Sequence, residues 1–293
     1  MKPATFEYYD PTTLDEALDL MARFGEEARP LAGGQSLVPL MNFRLVRPAH
    51  LIDLNGVGKL NYLKTENAVL RIGAMTRQRD LERSADVEHW PLLRDATAFI
   101  GHIQIRNRGT VGGSLAHAFP SAELPMAMVT LDASFVLGAK NNQRMVGAED
   151  FFLSYMTTSL EPGELLAEIR VPPLPTNTGW SYQEVSRRHG DFALAGAASV
   201  LALDANGHIR HVRLALTGTT PIRATRAEKL LLGQKLSESL FREAARRATE
   251  GIEQDSDIHA SAEYRRNACE ALARRALTQS AVRATELAKE SSR

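Results

Sequence analysis

Two glycine pairs, each followed by side chains that can donate hydrogen bonds, constrain this sequence more than any other feature. The first lies in Ala32-Gly33-Gly34-Gln35-Ser36 and the second in Thr110-Val111-Gly112-Gly113-Ser114. Glycine lets backbone N–H groups approach an anion closely, and Ser, Thr and Gln add donors without a lysine. The pairs are therefore open to two interpretations, as tight turns or as loops that bind a pyrophosphate.

The common nucleotide-binding motifs are missing. The sequence has no GxxxxGK[ST] segment, and Gly56-Val57-Gly58 is followed by Asn61 where a GxGxxG motif needs its third glycine. A P-loop nucleotidase and a Rossmann dehydrogenase are therefore disfavoured.

Charge and hydropathy exclude further classes of partner. The 293 residues carry 35 Lys and Arg against 35 Asp and Glu, so no net positive field attracts nucleic acid. The longest apolar run, from Phe192 to Leu203, is shorter than the roughly 20 residues that cross a bilayer, and we expect it to lie in the core. Because the N-terminus has no apolar stretch typical of a signal peptide, we expect a cytoplasmic protein without a membrane span.

Residues that bind metals are too few or too dispersed for a metal site. Cys269 is the only cysteine, so the chain cannot form a thiolate zinc site or an iron–sulfur cluster by itself. The eight histidines show no HxxxH or HExxH spacing. We therefore predict no metal site, an inert buried thiol at Cys269, and an organic cofactor for any redox role, with metal clusters held elsewhere.

The pattern of elements predicts an α+β fold that begins with an α/β unit. Thr13 to Glu16 fits a capping box at the start of a helix. A short strand over 28–32 runs into the first glycine pair, and a second over 51–54 ends the unit. From residue 56 strands alternate with helices, which is typical of an antiparallel sheet beside helices.

Turn residues divide the rest of the chain. Pro172 to Pro175 is the best linker candidate, and Asp204 to Gly207 predicts a hairpin. Amphipathic helices are expected over 237–250 and 264–277, and the polar end, 280–293, is expected to fray. We predict domains at 1–55, 56–176 and 177–293.

An acidic residue follows the second glycine loop. Glu123 lies between Pro120 and Pro125, where a carboxylate could accept hydrogen bonds from the two hydroxyls of a ribose. A glutamate at the start of a helix, stabilised by the helix dipole, is the alternative, and the sequence does not separate the two.

With these residues together, the chain resembles the FAD-binding medium subunit of the molybdenum hydroxylases. The two glycine loops carry the most specific similarity, with Ile105 to Arg108 before the second and Leu115 to Ala118 after it. Further similarity lies in 160–166, 187–193 and 263–266, so the resemblance covers nearly the whole chain.

The resemblance implies a PCMH-type FAD-binding fold, followed by a C-terminal three-stranded antiparallel sheet flanked by helices. FAD would lie between the first two parts. The two loops would hold the pyrophosphate, and Glu123 the ribose. Other cofactor-binding residues are implied along the groove and near the isoalloxazine: Ile100, Asn107, Ala118, Leu166, Tyr182 and Gln183.

The resemblance also implies a division of labour. A large subunit with molybdopterin oxidises the substrate, a small subunit with two [2Fe-2S] clusters relays electrons, and FAD in this chain passes them to an external acceptor. The assembly would be a dimer of heterotrimers, a heterohexamer. No catalytic acid or base is expected here, because the cofactor carries the chemistry.

Some positions depart from the family's pattern, and two other functions are weighed. Ser114 and Phe119 stand where many relatives have Asp. No motif supplies a nicotinamide site, so the terminal acceptor stays open. The alternatives are a self-contained flavin oxidase or reductase of the same fold and a non-enzymatic scaffold with structural glycine loops.

Overall fold

The first part of the computed structural model, which describes residues 1–291, is a small parallel sheet with a helix against it. Its elements are β1 (Glu7–Tyr9), α1 (Leu14–Phe24), β2 (Ala28–Leu31), α2 (Leu37–Asn42) and β3 (His50–Asp53). Strand β3 lies between β1 and β2 and is parallel to both. The predicted capping box is confirmed, because Thr13 Oγ1 accepts from the Glu16 N–H at 3.2 Å and the Glu16 carboxylate accepts from the Thr13 N–H. The buried face of α1 packs on this sheet.

The middle part is an antiparallel sheet beside a layer of helices. Its strands follow the order β4-β5-β10-β6-β7. Its elements are β4 (Leu63–Glu66), β5 (Val69–Gly73), α3 (Gln78–Arg83), α4 (Pro91–Phe99), α5 (Ile103–Arg108), α6 (Val111–His117), α7 (Glu123–Thr130), β6 (Ser134–Ala139), β7 (Asn142–Gly147), α8 (Ala148–Phe151), β8 (Phe152–Ser154), β9 (Thr157–Thr158) and β10 (Leu165–Val171). Every residue of α7 is buried, which makes this helix the centre of the molecule's main core.

The β4–β5 hairpin is an element that the sequence pattern missed. Its turn residues Asn67 and Ala68 both have positive φ, 52° and 62°. A turn of this kind usually carries glycine in its second central position, and Ala68 replaces that signal. Strand β5 therefore begins at Val69 and has an antiparallel partner on each side.

The C-terminal part is a second antiparallel sheet covered by helices. Its elements are β11 (Gly179–Val185), β12 (Ala195–Leu203), β13 (Ile209–Leu216), β14 (Ile222–Arg223), α9 (Thr225–Leu231), α10 (Glu238–Thr249) and α11 (Ala262–Ser291). Within residues 1–291 this sheet has four strands in chain order, so the implied three-stranded sheet needs a correction. The added strand is only two residues long and pairs with the end of β13. The mixture of separate helices and antiparallel sheets confirms the α+β class.

The end of the chain is more ordered than its polar composition indicated. Helix α11 continues to Ser291, so the prediction that 280–293 fray is wrong for the part that the structure describes. The physical reason is a buried small-residue stripe. Ser280 is fully buried and hydrogen-bonds Ser199 on β12 at 2.6 Å, and Ala281 and Ala284 pack beside it.

Ion pairs and one aromatic residue fix the C-terminal part to the middle part. Asp132, just after α7, accepts from Arg213 and Arg223 at 2.7 Å each. On the other side, Trp180 donates to Asp95 on α4 at 2.9 Å. The junction thereby holds β11 against the helices that carry the predicted cofactor residues.

Candidate functional site

The first glycine loop presents unpaired donors to a cavity. Within residues 1–291, the backbone N–H groups of Gly33, Gly34, Gln35 and Ser36 have no hydrogen-bond acceptor. The loop joins β2 to α2 and borders a cavity of about 350 Å³. Its lining residues are Leu31, Ala32, Gly33, Gly34, Gln35, Val38, Pro39, Asp53, Asn55 and Arg108. Because unpaired backbone donors need an acceptor, this loop can hold an anion.

The second glycine loop is built differently from the first. The Val111 and Gly112 N–H groups donate to carbonyls of Thr76 and Ala74 at 2.9 Å each, and the Gly113 N–H donates to Thr110 Oγ1 at 3.1 Å. The expectation that this loop offers the same free donors is therefore wrong for these three groups. Thr110 caps the N-terminus of α6, so the hydrogen bonds of the loop serve the helix.

The two loops lie against each other. A Cβ atom on Gly33 would come within 2.3 Å of the Arg108 carbonyl oxygen, and one on Gly113 would lie 3.4 Å from the Ala32 Cβ. Gly33 is thus required by the contact between the loops before any cofactor is considered. Replacing Gly33 with valine would disrupt the protein itself, so that substitution is a poor test of cofactor binding.

Asn55 and Arg77 connect the loops, and the sequence analysis missed both roles. Asn55 donates to the Ala32 carbonyl at 3.0 Å and accepts from Arg77 at 2.6 Å. Arg77 also donates to the Arg108 carbonyl. Asn55 directly follows a buried strand whose neighbour ends in the first glycine pair, which is the signal that could have identified it.

Glu123 occupies the other end of α6 from the second loop. Residues 111–114 of the second loop form the first turn of this seven-residue helix, which spans about 10 Å, and five further residues separate its end from Glu123. Glu123 begins α7, its side chain is only 4% exposed, and its carboxylate accepts from its own backbone N–H but forms no ion pair within residues 1–291. Burial, and then the charge of Glu184, raise the pKa of Glu123 to about 8.

Tyr182 and Glu184 lie two residues apart on the same face of β11. The Tyr182 hydroxyl donates to the Glu184 carboxylate at 3.2 Å. Burial, together with the charges of Glu123 and Glu184, holds the pKa of Tyr182 well above its usual range. Burial raises the pKa of Glu184 to about 7, a residue that the sequence analysis did not select.

Two models of known protein families match this chain. Residues 4–174 match the family model described as FAD binding domain in molybdopterin dehydrogenase, and residues 180–280 match the CO dehydrogenase flavoprotein C-terminal domain. The chain belongs to this family.

Relatives at high coverage support the assignment to this FAD-binding family. The 6-hydroxypseudooxynicotine dehydrogenase complex subunit alpha of Paenarthrobacter nicotinovorans is 40% identical and covers 97% of both chains. The carbon monoxide dehydrogenase medium chain of Hydrogenophaga pseudoflava is 38% identical over 94% of this chain and 97% of its own. The solved carbon monoxide dehydrogenase of the same organism, which lacks the Mo-pyranopterin moiety, superposes with a TM-score of 0.94 at 39% identity, over 97% of this chain and 99% of that chain.

The remaining residues implied by the family resemblance fall into two groups. Ile100, Ala118, Leu166 and Tyr182 lie in the same buried core as α7, and Asn107 is exposed on α5. Gln183 lies elsewhere: its side chain donates to Gln279 on α11 at 2.7 Å. Neighbouring residues of a strand point to opposite faces, so the Gln183 side chain lies on the opposite face of β11 from Tyr182.

Aromatic side chains form the rim of the region near Phe119. Phe119 and Phe192 have ring centroids 4.4 Å apart, and Tyr155 meets the edge of Phe119. Phe192 is 62% exposed, so the apolar run beginning there is a core segment only from Ala193 onward. Phe119 is a position at which this sequence departs from the family's pattern, and the exposed rings of Tyr155 and Phe192 lie beside it.

Other candidate redox groups in this family member are inert or dispersed. Cys269 is fully buried, and burial raises the pKa of its thiol, which confirms the predicted unreactive cysteine. Among residues 1–291, no three His, Cys, Asp or Glu side chains are grouped so that they could hold a metal ion. In the same range, no helix has the length and apolar character needed to cross a membrane.

Proposed function

We propose that this chain binds FAD and serves as the electron-transfer subunit of a molybdenum-containing dehydrogenase. The observation that carries the proposal is the row of unpaired N–H groups from Gly33 to Ser36 at the edge of the cavity. These groups would donate hydrogen bonds to the FAD diphosphate, and Asn55 and Arg77 would keep the two loops in register around it. Bound FAD supplies the capacity to accept and release electrons.

Contributions to cofactor binding differ between the two loops. Ala32 to Ser36 would hold the diphosphate through backbone donors. In the second loop the structure supports contacts from the Ser114 hydroxyl, because its backbone donors from Val111 to Gly113 are already used. Glu123 would accept from ribose hydroxyls, and Ile100, Ala118, Leu166 and Tyr182 would provide the apolar side of the groove.

The partners follow from the same family membership. The chain would receive electrons from the [2Fe-2S] clusters of a small subunit, beside a large molybdopterin subunit, in a cytoplasmic dimer of heterotrimers. The division of the chain at residues 55 and 176 belongs to the proposal as well. The matched segments, which end at 174 and resume at 180, support the second boundary.

A substitution at Gly34 tests whether the N–H groups of Gly33 to Ser36, which we call the diphosphate cradle, bind FAD. Its φ is +75°, where a Cβ is strained, and Gly233 has φ +77° in a loop far from the cavity. Gly233→Ala, whose Cβ meets open space, should therefore lose about 1 kcal/mol of stability, and Gly34→Ala, whose Cβ would lie 3.3 Å from Val38, should lose somewhat more. We expect only Gly34→Ala to weaken FAD binding, by about tenfold (~1.4 kcal/mol), in a titration followed by flavin absorbance or fluorescence.

Two outcomes would contradict the proposal. Equal FAD affinity in the wild-type chain and in folded Gly34→Ala would show that the first glycine loop does not bind the diphosphate. Absence of FAD from the wild-type chain purified with its partner subunits would show that the chain does not carry this cofactor. Flavin that is bleached by substrate without any partner would instead support a self-contained oxidase.

A further inference from the structure

One arginine beside the first glycine loop has no partner for its side chain. Arg108, the last residue of α5, lines the cavity that this loop borders, and it is exposed. Within residues 1–291 its guanidinium donates no hydrogen bond and belongs to no ion pair. Exposed arginines are often solvated in this way, so the significance of Arg108 depends on where it lies.

The backbone of Arg108 is fixed against the first loop. Its carbonyl oxygen accepts from Arg77 at 2.5 Å and would lie only 2.3 Å from a Cβ atom on Gly33. The N–H of the next residue, Gly109, donates to the Ile105 carbonyl at 2.7 Å. The Arg108 side chain therefore extends from a fixed point next to the diphosphate cradle.

The other charged groups at this cavity already have partners. Arg77 donates to Asn55 at 2.6 Å, and Asp53, which lines the cavity, accepts from the Tyr8 hydroxyl at 2.6 Å and from the Asn55 N–H at 2.9 Å. Burial opposes the ionisation of Asp53, but hydrogen bonds from Tyr8 and Asn55, and then the charge of Arg108, lower its pKa. The charge of Arg108 thus acts on a residue of the same cavity, and its guanidinium remains available for a ligand.

The diphosphate cradle lacks a positive charge of its own. The N–H groups of Gly33 to Ser36 are neutral donors, and Asp53 adds a negative charge to the cavity lining. An anion that leaves water needs compensation by hydrogen bonds and a cation. Guanidinium groups form charge-assisted, often bidentate hydrogen bonds with phosphate oxygens, so an unpaired arginine at this edge can provide that compensation.

We propose that Arg108 pairs with the FAD diphosphate and provides the positive charge that the cradle lacks. This inference rests on the proposed function, in which the first glycine loop binds that diphosphate. The cradle would bind the diphosphate through neutral N–H groups, and the Arg108 guanidinium would add charge-assisted hydrogen bonds. Arg108 is thereby a cofactor-binding residue that favours flavins with a diphosphate over flavins without one.

The test compares the affinities for FAD and for riboflavin, which lacks the diphosphate, in the full chain freed of flavin. Arg108→Gln removes the charge, so it should weaken FAD binding by about tenfold and leave riboflavin binding unchanged. Arg108→Lys keeps the charge without the bidentate geometry, so it should lose less affinity for FAD. Arg83→Gln, at an exposed arginine that ends α3 and has no ion pair within residues 1–291, is the matched control and should follow wild type.

Ionic strength gives a second readout, which does not depend on riboflavin. The FAD affinity of wild type should fall more steeply with added salt than that of Arg108→Gln, because salt screens the ion pair. Equal FAD affinity in wild type and folded Arg108→Gln, or the same salt dependence in both, would overturn the inference. Weakening of FAD and riboflavin binding by the same factor would also overturn it, since that result indicates a structural role. Failure of wild type to bind FAD at any salt concentration would instead overturn the proposed function.

Discussion

At the scale of single residues, the unusual feature is two carboxyl groups, Glu123 and Glu184, that form no ion pair within residues 1–291. Glu123 and Glu184 are the acids whose pKa values burial raises to about 8 and about 7. Elsewhere, buried acids have arginine partners, as Glu168 has Arg71 and Arg170. Unpaired carboxyls in a core cost stability, so they are typically retained for a function.

The same pair predicts a pH dependence of stability for the cofactor-free chain. In the unfolded chain both groups titrate near 4.5, whereas in the folded chain they keep their protons to higher pH. The folded state therefore binds more protons across this interval, and stability falls as pH rises from about 4.5 to about 8. We expect Glu184→Gln to raise the melting temperature relative to wild type at pH 8 and to leave it nearly unchanged at pH 4.5. A larger gain at the lower pH would contradict the sign.

Some of these site residues could be predicted from the sequence, and others could not. The glycine loops and Glu123 were selected because their residue types carry chemistry in a local pattern. Which N–H groups stay free was not predictable, because the acceptors for Val111 and Gly112 come from Thr76 and Ala74, more than 30 positions earlier. Glu184 was not selected, and the opposite faces of Tyr182 and Gln183 were not considered, because the strand that carries all three residues had not been predicted.

At the scale of elements, helix α6 joins the two halves of the proposed site. Its N-terminus is capped by Thr110 beside the first loop, and its C-terminus ends at Ala118, which has a positive φ of 48°. The length of α6 therefore sets the spacing between the diphosphate cradle and Glu123. Glycines and helix caps made the secondary structure predictable here. Strand β4 was not predicted, because the turn after it has an alanine, Ala68, where glycine is usual.

The two threonine caps provide a matched pair for testing α6. Thr13 caps α1 and Thr110 caps α6, each through its side-chain oxygen. Thr13→Ala and Thr110→Ala should each lower the free energy of unfolding by about 1 kcal/mol in denaturant titrations. Only Thr110→Ala should also reduce FAD affinity, since it loosens the start of α6 against the first loop. Equal affinity in both variants would argue that α6 does not position the cofactor.

At the scale of the whole molecule, the C-terminal part completes the site instead of merely following it. Strand β11 places Tyr182 in the same buried core as α7, and the Asp132 ion pairs hold the junction closed. The sequence indicated a C-terminal α+β domain but not this contact, because the partners are separated by about 80 to 90 positions, as Asp132 is from Arg213 and Arg223.

The junction is expected to be sensitive to salt. Asp132→Asn keeps the positive φ of 51° that asparagine tolerates, and it removes the charge that pairs with two arginines. We expect its melting temperature to fall below that of wild type at low ionic strength, with a smaller difference at 1 M salt, where charges are screened beyond about 3 Å. Asp86→Asn, at an exposed residue outside the junction, should change little at either salt concentration. A salt-independent loss in Asp132→Asn would show that packing, rather than the ion pairs, holds the junction.

A crystal structure of the full chain with FAD bound would test most directly whether the first glycine loop binds the FAD diphosphate. We expect diphosphate oxygens within about 3 Å of the N–H groups of Gly33 to Ser36, and a ribose hydroxyl that donates to Glu123. A diphosphate bound away from this loop, with these four N–H groups still unpaired, would contradict it.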